Sequence, residues 1–269
     1  KSSIDAGEIY ANSVLNKFGP VKVEDLILVD CSNGACSKLV QAGLNSYTKI
    51  HFVNSSPDGL NINENSGSTS PQTLVETVLA EEADLGIGFD GDGDRVIMVD
   101  HLGNIVDGDE ILYVIARDLR RQSIEFGGVV GTAMSNLGLE LALDALDVPF
   151  VRAPVGDRYV MKEMLDRDWY LGGENSGHIV CLSITSTGDG IISALQALAA
   201  IVNCEQPLSD LCSKMRKLPQ SMVNIKVANV VDITQNKTVQ SAVSDVESKL
   251  GKNGRVLLRP SGTTTVEKE

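Results

Sequence analysis

Residues 83–100 read ADLGIGFDGDGDRVIMVD, setting Asp90, Asp92 and Asp94 at alternate positions in a glycine-rich turn with Arg95 directly after. Three carboxylates so spaced can converge on one hard cation, because glycine permits the tight backbone and close approach that this requires. An EF-hand loop also opens with alternating acids, but it needs Gly sixth and Glu twelfth, where this chain has Arg95 and His101. GIGFDG (86–91) has the spelling of a dinucleotide fingerprint, yet it runs into aspartates and a strand instead of opening a helix, so the match is accidental. The duller account is a solvated acidic turn, but surface turns seldom gather three carboxylates. Metal binding is the expectation.

Three further stretches carry chemistry. GGENSGHIV (172–180) crowds Glu174, Asn175, Ser176 and His178 into a compact loop of small residues. A carboxylate there accepts from paired sugar hydroxyls, a serine donates or accepts, and a histidine titrates near neutrality. RPSGTT (259–264) offers Arg259, Ser261, Gly262 and Thr263 just after an apolar run, a set suited to phosphate through a guanidinium and a backbone nest. PVGDRYVMKEM (154–164) places Arg158 on a strand-to-helix loop, where it can face a ligand. Each has a plain alternative: a core-facing histidine, an ordinary turn beside an arginine, and Asp157 as a helix N-cap.

The elements that must hold these loops alternate along the chain. An amphipathic run at 4–18 precedes the strand LILVD (26–30), then a helix, a strand and a long polar loop at 55–70. Ser70 is expected to cap the next helix with Pro71 at its first position, before strands at 85–89 and 96–100. The pattern restarts with a helix at 109–121, strand 127–132, helix 137–147, strand 149–154, helix 157–166 and a long apolar helix at 190–203. A third composition follows, with strand 221–227, helix 237–250 and strand 255–259. The expected class is α/β: two consecutive α/β domains with mixed sheets flanked by helices, plus a truncated α+β C-terminal domain. The expected divisions are 1–104 for the acidic loop, 105–217 for the Glu-His loop and 218–269 for a partial phosphate-binding domain.

Composition bounds the partners. The 269 residues carry 36 acidic and 23 basic side chains, a formal charge of −13, which argues against nucleic-acid backbones and anionic membranes. No window approaches the ~18 consecutive apolar residues of a membrane span. The cysteines (Cys31, Cys36, Cys181, Cys204 and Cys212) are odd in number with no C-x-x-C pair, as expected of reduced thiols in a cytoplasmic protein. The chain begins at Lys1 rather than Met and ends soon after Pro260, so truncation at both ends is the expectation.

Taken together and in this order, the loops resemble those of the α-D-phosphohexomutase superfamily, whose metal loop is D-G-D-G-D-R, sugar loop G-E-x-S-G-H and phosphate loop R-x-S-G-T. The resemblance runs from about residue 4 to residue 263. FDGDGDRVIMVD, GTAMSNLGLELAL, VGDRYV, GGENSGH and TSTGDGI are most similar to its bacterial phosphoglucosamine mutase branch. Two departures stand out: the superfamily's N-terminal domain with its phosphoserine loop has no counterpart, and Thr264-Thr265 replace the usual Glu-Pro.

The resemblance implies interconversion of glucosamine 6-phosphate and glucosamine 1-phosphate through a 1,6-bisphosphate, supplying UDP-N-acetylglucosamine and cell-wall precursors. Under it, Asp90, Asp92 and Asp94 hold Mg²⁺, and Arg95 lies beside the phosphoryl oxygens. Glu174, Asn175 and Ser176 meet sugar hydroxyls, and Arg259, Ser261, Gly262 and Thr263 hold the non-reacting phosphate. His178 is the candidate acid or base, and Arg158 positions substrate, since an arginine is a poor proton acceptor. The implied partners are the phosphosugar and the missing N-terminal catalytic domain, with a homodimer left open. On this reading the chain alone binds but does not turn over. The alternatives are a phosphomannomutase or phosphoglucomutase, and a non-catalytic Mg²⁺-binding remnant.

Overall fold

The structure, a computed structural model of the chain, describes residues 6–18, 26–44, 49–221, 223, 236–251 and 254–258. The chain divides into two compact units, Lys1–Arg216 and Lys217–Glu269. The larger begins α1 (Ala6–Phe18), β1 (Leu26–Asp30), α2 (Ser37–Leu44), β2 (Lys49–Val53), a 3-10 turn (Gly67–Thr69), α3 (Gln72–Ala80), β3 (Leu85–Phe89), β4 (Val96–Asp100) and β5 (Ile105–Val106). It continues α4 (Gly108–Arg121), β6 (Val129–Thr132), α5 (Leu137–Asp144), β7 (Phe150–Ala153), α6 (Asp157–Arg167), β8 (Leu171–Gly173), β9 (Ile179–Cys181), α7 (Gly190–Cys204) and α8 (Leu208–Cys212).

The strands form two mixed sheets, ordered β2-β1-β3-β4-β5 and β7-β6-β8-β9. In each, an inner strand (β1 or β6) has parallel partners on both sides, and the third strand in sequence turns back into an antiparallel fourth. The second sheet therefore repeats the strand order of the first without β5. The α/β class with mixed sheets is as the sequence predicts.

In the first sheet β1, β3 and β4 are buried on both faces, which is why they read as apolar runs. Along β4, Val96 and Met98 join the main core while Ile97 and Val99 face the opposite way, towards Leu74 and Val78 of α3. In the second sheet Val130, Ala153 and Val180 meet Val160 and Met164 of α6. Helices α4 and α7 lie between the sheets: α4 packs on β4 and β5 of one and β6 and β8 of the other, and α7 on β3, β4 and β9. A helix in that place has no solvent face, and residues Ile111 to Ala116 are buried without interruption. Full burial of an aliphatic side chain such as Leu195 there contributes on the order of 1.5–3 kcal/mol.

Local chemistry differs from expectation at three points. Pro71, at φ −74, is the N-cap of α3, and Ser70 instead closes the 3-10 turn. Gly156 rather than Asp157 caps α6, because its φ of 125 suits glycine, and among the described residues Asp157 accepts only from the adjacent Arg158 N–H. In the smaller unit α9 (Lys237–Leu250) forms as predicted, capped by Asn236. Residues 254–258 show no strand, although one is expected at 255–259. Five of the seven residues of the strand expected at 221–227 lie outside the described residues, as do Arg259, Ser261, Gly262 and Thr263.

Candidate functional site

Phe89 stands opposite Val96 in the β3–β4 pair, so residues 90–95 form the turn joining them. The turn lies where the parallel strands β1 and β3 end, the place at which ligands gather in open α/β sheets. Its backbone is held at alternate residues. Phe89 O accepts from Ser32 Oγ at 2.6 Å, Gly91 O from Ala35 N at 2.8 Å and Gly93 O from Gly190 N at 3.0 Å. The intervening side chains, Asp90, Asp92 and Asp94, bring carboxylate oxygens within 4.8 Å of one another.

Asp90 is buried, and its Oδ1 accepts from Gly93 N and Arg95 N, each at 3.1 Å. Burial pushes its carboxyl up to about 6, with the charges of Asp94 and Asp92 adding to the shift and the Arg95 N–H opposing it. Arg95 Nε offsets part of the charge, 3.7 Å from Asp90 Oδ2 and 3.8 Å from Asp94 Oδ1. Three hard oxygen donors, mutually repelling and only partly neutralised, fit a divalent cation of the Mg²⁺ or Ca²⁺ kind.

The second sheet presents its own hairpin at the matching position. Gly173 pairs with Ile179, and residues 174–178 turn between β8 and β9. The two hairpins meet backbone to backbone: Arg95 and His178 form an isolated antiparallel bridge, and Val96 N donates to Gly177 O at 3.1 Å. His178 is buried, with Nε2 3.6 Å from Asp94 Oδ2. Glu174 Oε1 accepts from Gly156 N at 3.0 Å, which ties the loop bearing Arg158 to the Glu174 loop. Asn175 O accepts from Gly108 N at 3.2 Å, and Ser176 is exposed. Arg158 is exposed too, but its guanidinium stacks over the Tyr159 ring, 4.6 Å from the centroid, and donates to Tyr159 Oη.

The structure thus unites Asp90, Asp92, Asp94, Arg95 and His178, sets Glu174 on the adjoining hairpin, and leaves Arg158 at the margin. It adds residues that sequence reasoning passed over. Gly188 lies against the His178 imidazole with no room for a Cβ, and Gly190 is equally confined by Gly93 O and Arg95 O. Tyr10 of α1 donates to Asp189, the N-cap of α7, at 2.8 Å and so steadies the end of the helix that meets the acidic turn. Both glycines lie in TSTGDGI, whose glycine spacing is the signal the sequence offers for them.

Family models described as phosphoglucomutase/phosphomannomutase match the chain in order: alpha/beta/alpha domain II at 8–103, alpha/beta/alpha domain III at 107–218 and the C-terminal domain at 222–266. The phosphoglucosamine mutase of Hahella chejuensis is 54% identical over 241 residues, covering 89% of this chain and 54% of that protein. That of Pectobacterium atrosepticum is 52% identical over 263 residues, covering 97% of this chain and 59% of that protein. The chain therefore spans little more than half the length of these relatives. Among solved structures, Aspergillus fumigatus N-acetylphosphoglucosamine mutase in complex with GlcNAc-6P and magnesium superposes with a TM-score of 0.77 at 20% identity, over 96% of this chain and 64% of that one. A phosphoglucomutase/phosphomannomutase family protein from Burkholderia thailandensis gives 0.71 at 20% identity, over 79% of this chain and 47% of that one. Both bear on the fold alone.

Proposed function

Because the chain belongs to the phosphoglucomutase/phosphomannomutase family, we propose that it serves a phosphoglucosamine mutase, interconverting glucosamine 6-phosphate and glucosamine 1-phosphate through a 1,6-bisphosphate. The observation that carries this reading is the meeting of two hairpins, one offering three carboxylates and Arg95, the other offering His178 and Glu174. Identity above 50% to proteins of that activity supports the amino sugar over mannose or glucose.

In this reading Asp90, Asp92 and Asp94 hold Mg²⁺, which when bound supplies neutralisation of the charge on a transferring phosphoryl group. Arg95, whose Nε already lies within 4 Å of Asp90 and Asp94, extends that positive field towards phosphoryl oxygens. Glu174 accepts from adjacent sugar hydroxyls, held in place by the Gly156 N–H, with Asn175 and Ser176 beside it. His178, whose Nε2 lies 3.6 Å from Asp94 Oδ2, exchanges a proton with the reacting hydroxyl. Arg158 swings from Tyr159 to the anionic end of the sugar. Arg259, Ser261, Gly262 and Thr263 hold the second phosphate.

The test is calorimetric titration of the chain with glucosamine 6-phosphate, glucose 6-phosphate and mannose 6-phosphate in the presence of Mg²⁺. Preferential uptake of the amino sugar phosphate, lost in Glu174→Ala, is expected. No uptake of any hexose phosphate, or uptake unaffected by Glu174→Ala, would overturn the assignment.

A further inference from the structure

We propose that Ser32 is a positioning residue for the acidic turn, setting the direction in which Asp90 presents its carboxylate to a cation. This rests on the reading of the aspartates as a metal site. Ser32 is fully buried and lies in the left-handed region at φ 50, a conformation that disfavours side-chain-bearing residues and that persists only where its surroundings enforce it. Every polar group of Ser32 is engaged. Its N–H donates to Asp30 Oδ1 at 2.9 Å, its carbonyl accepts from Asn63 N at 2.9 Å, and its Oγ donates to Phe89 O at 2.6 Å.

Phe89 O belongs to the peptide that joins β3 to Asp90. Fixing that carbonyl fixes the plane of the peptide and with it the Asp90 N–Cα bond, so that only rotation about that bond, itself checked by the Ala35 N–H on Gly91 O, remains to set where the carboxylate points. The junction is closed on its other sides. Asp30, also fully buried, accepts from Asn54 Nδ2 at 3.1 Å and Gly67 N at 2.8 Å. Gly67, at φ 65, sits so tightly on the Ser32–Phe89 hydrogen bond that any Cβ there would overlap Ser32 Oγ and Phe89 O. Three loops, from the ends of β1, β2 and β3, thus converge on one hydroxyl. The hydroxyl itself touches none of the carboxylates. A strained, buried serine kept where glycine would be relaxed points to a role for the Oγ.

That contrast supplies the experiment. Ser32→Gly removes the hydroxyl while relieving the left-handed strain, so that strain relief offsets the lost hydrogen bond; Ser32→Ala removes the hydroxyl and keeps the strain. Mg²⁺ affinity is measured by titration calorimetry on the full chain, and the thermal midpoint is measured in EDTA. The expected result is a Kd raised about five- to tenfold in both variants, as for an Asp90 carboxylate presented less favourably to the cation. The metal-free midpoint of Ser32→Gly should stay unchanged. Unaltered Mg²⁺ affinity in both variants would overturn the inference while leaving the metal site standing. Equal loss of affinity and of metal-free stability in Ser32→Gly would reduce Ser32 to a structural role and also overturn it. A parent chain that takes up no Mg²⁺ would instead remove the proposed function and this inference together.

Discussion

His178 Nε2 lies 3.6 Å from Asp94 Oδ2, joining a buried imidazole of the second sheet's hairpin to the acidic turn of the first. The ring is pressed into this place by Gly188, which leaves no space for a side chain. Gly188→Ala is therefore expected to displace the imidazole and destabilise the chain by about 1–3 kcal/mol, the range for overpacking. A thermal melt together with the His178 ring resonances checks this. Both unchanged would show that the ring does not depend on Gly188.

Asp92 is the exposed member of the acidic turn and accepts no hydrogen bond among the described residues. Asp92→Asn should leave metal-free stability within about 0.5 kcal/mol, as for most surface substitutions. It should also abolish most of the rise in thermal midpoint that Mg²⁺ produces in the parent, a rise of about 2.7 kcal/mol in stability at a hundred times Kd. A variant stabilised by Mg²⁺ as strongly as the parent would exclude Asp92 as a ligand.

Asp109, at the start of α4, makes its own contribution to the pH dependence of stability. It is buried, its Oδ2 accepts from Asn136 N at 2.7 Å, and its Oδ1 has no hydrogen-bond partner among the described residues. Burial pushes its carboxyl up to about 6 from an ordinary 3.8, against the pull of the Asn136 N–H. The folded chain therefore holds this proton more tightly than the unfolded one. Stability from Asp109 is fully present below pH 3.8 and is lost as pH rises through about 6. The loss should amount to about 2–3 kcal/mol. Denaturant unfolding of the parent and Asp109→Asn at pH 4 and pH 7.5 measures it; a stability difference independent of pH would refute the assignment.

Gly108 opens α4, where replacing glycine by alanine ordinarily stabilises by about 0.4–1 kcal/mol. Here the sign should reverse. A Cβ on Gly108 would overlap Glu174 O and crowd Gly177, so Gly108→Ala is expected to lower the thermal midpoint and weaken hexose phosphate binding. A raised midpoint with binding intact would show that the Glu174 hairpin yields without loss.

The acidic turn was legible in the sequence because its carboxylates are neighbours along the chain and need only glycine between them. Strands 26–30, 85–89 and 96–100 were equally plain, since burial on both faces writes an unbroken apolar run. What could not be read was whatever depends on which strands lie side by side. Ser32 reaches Phe89 only because β1 and β3 are parallel neighbours, and His178 reaches Asp94 only because two hairpins far apart in sequence abut. The cap at Gly156 escaped for a smaller reason: Asp157 has the better capping side chain, but only glycine accepts the backbone conformation required there.

The seam between the hairpins has a further consequence. Arg95 pairs with His178, Val96 N with Gly177 O and Gly108 N with Asn175 O, so peptide groups rather than side chains set the span from the carboxylates to Glu174. The span works as a fixed gauge. Under the proposed function, a ligand anchored by a phosphate at one end and by hydroxyls at the other is measured by its own length against that span. What tolerance exists belongs to the exposed side chains at the rim, Ser176 and Arg158, and a change of ligand selectivity is to be sought there before the acids.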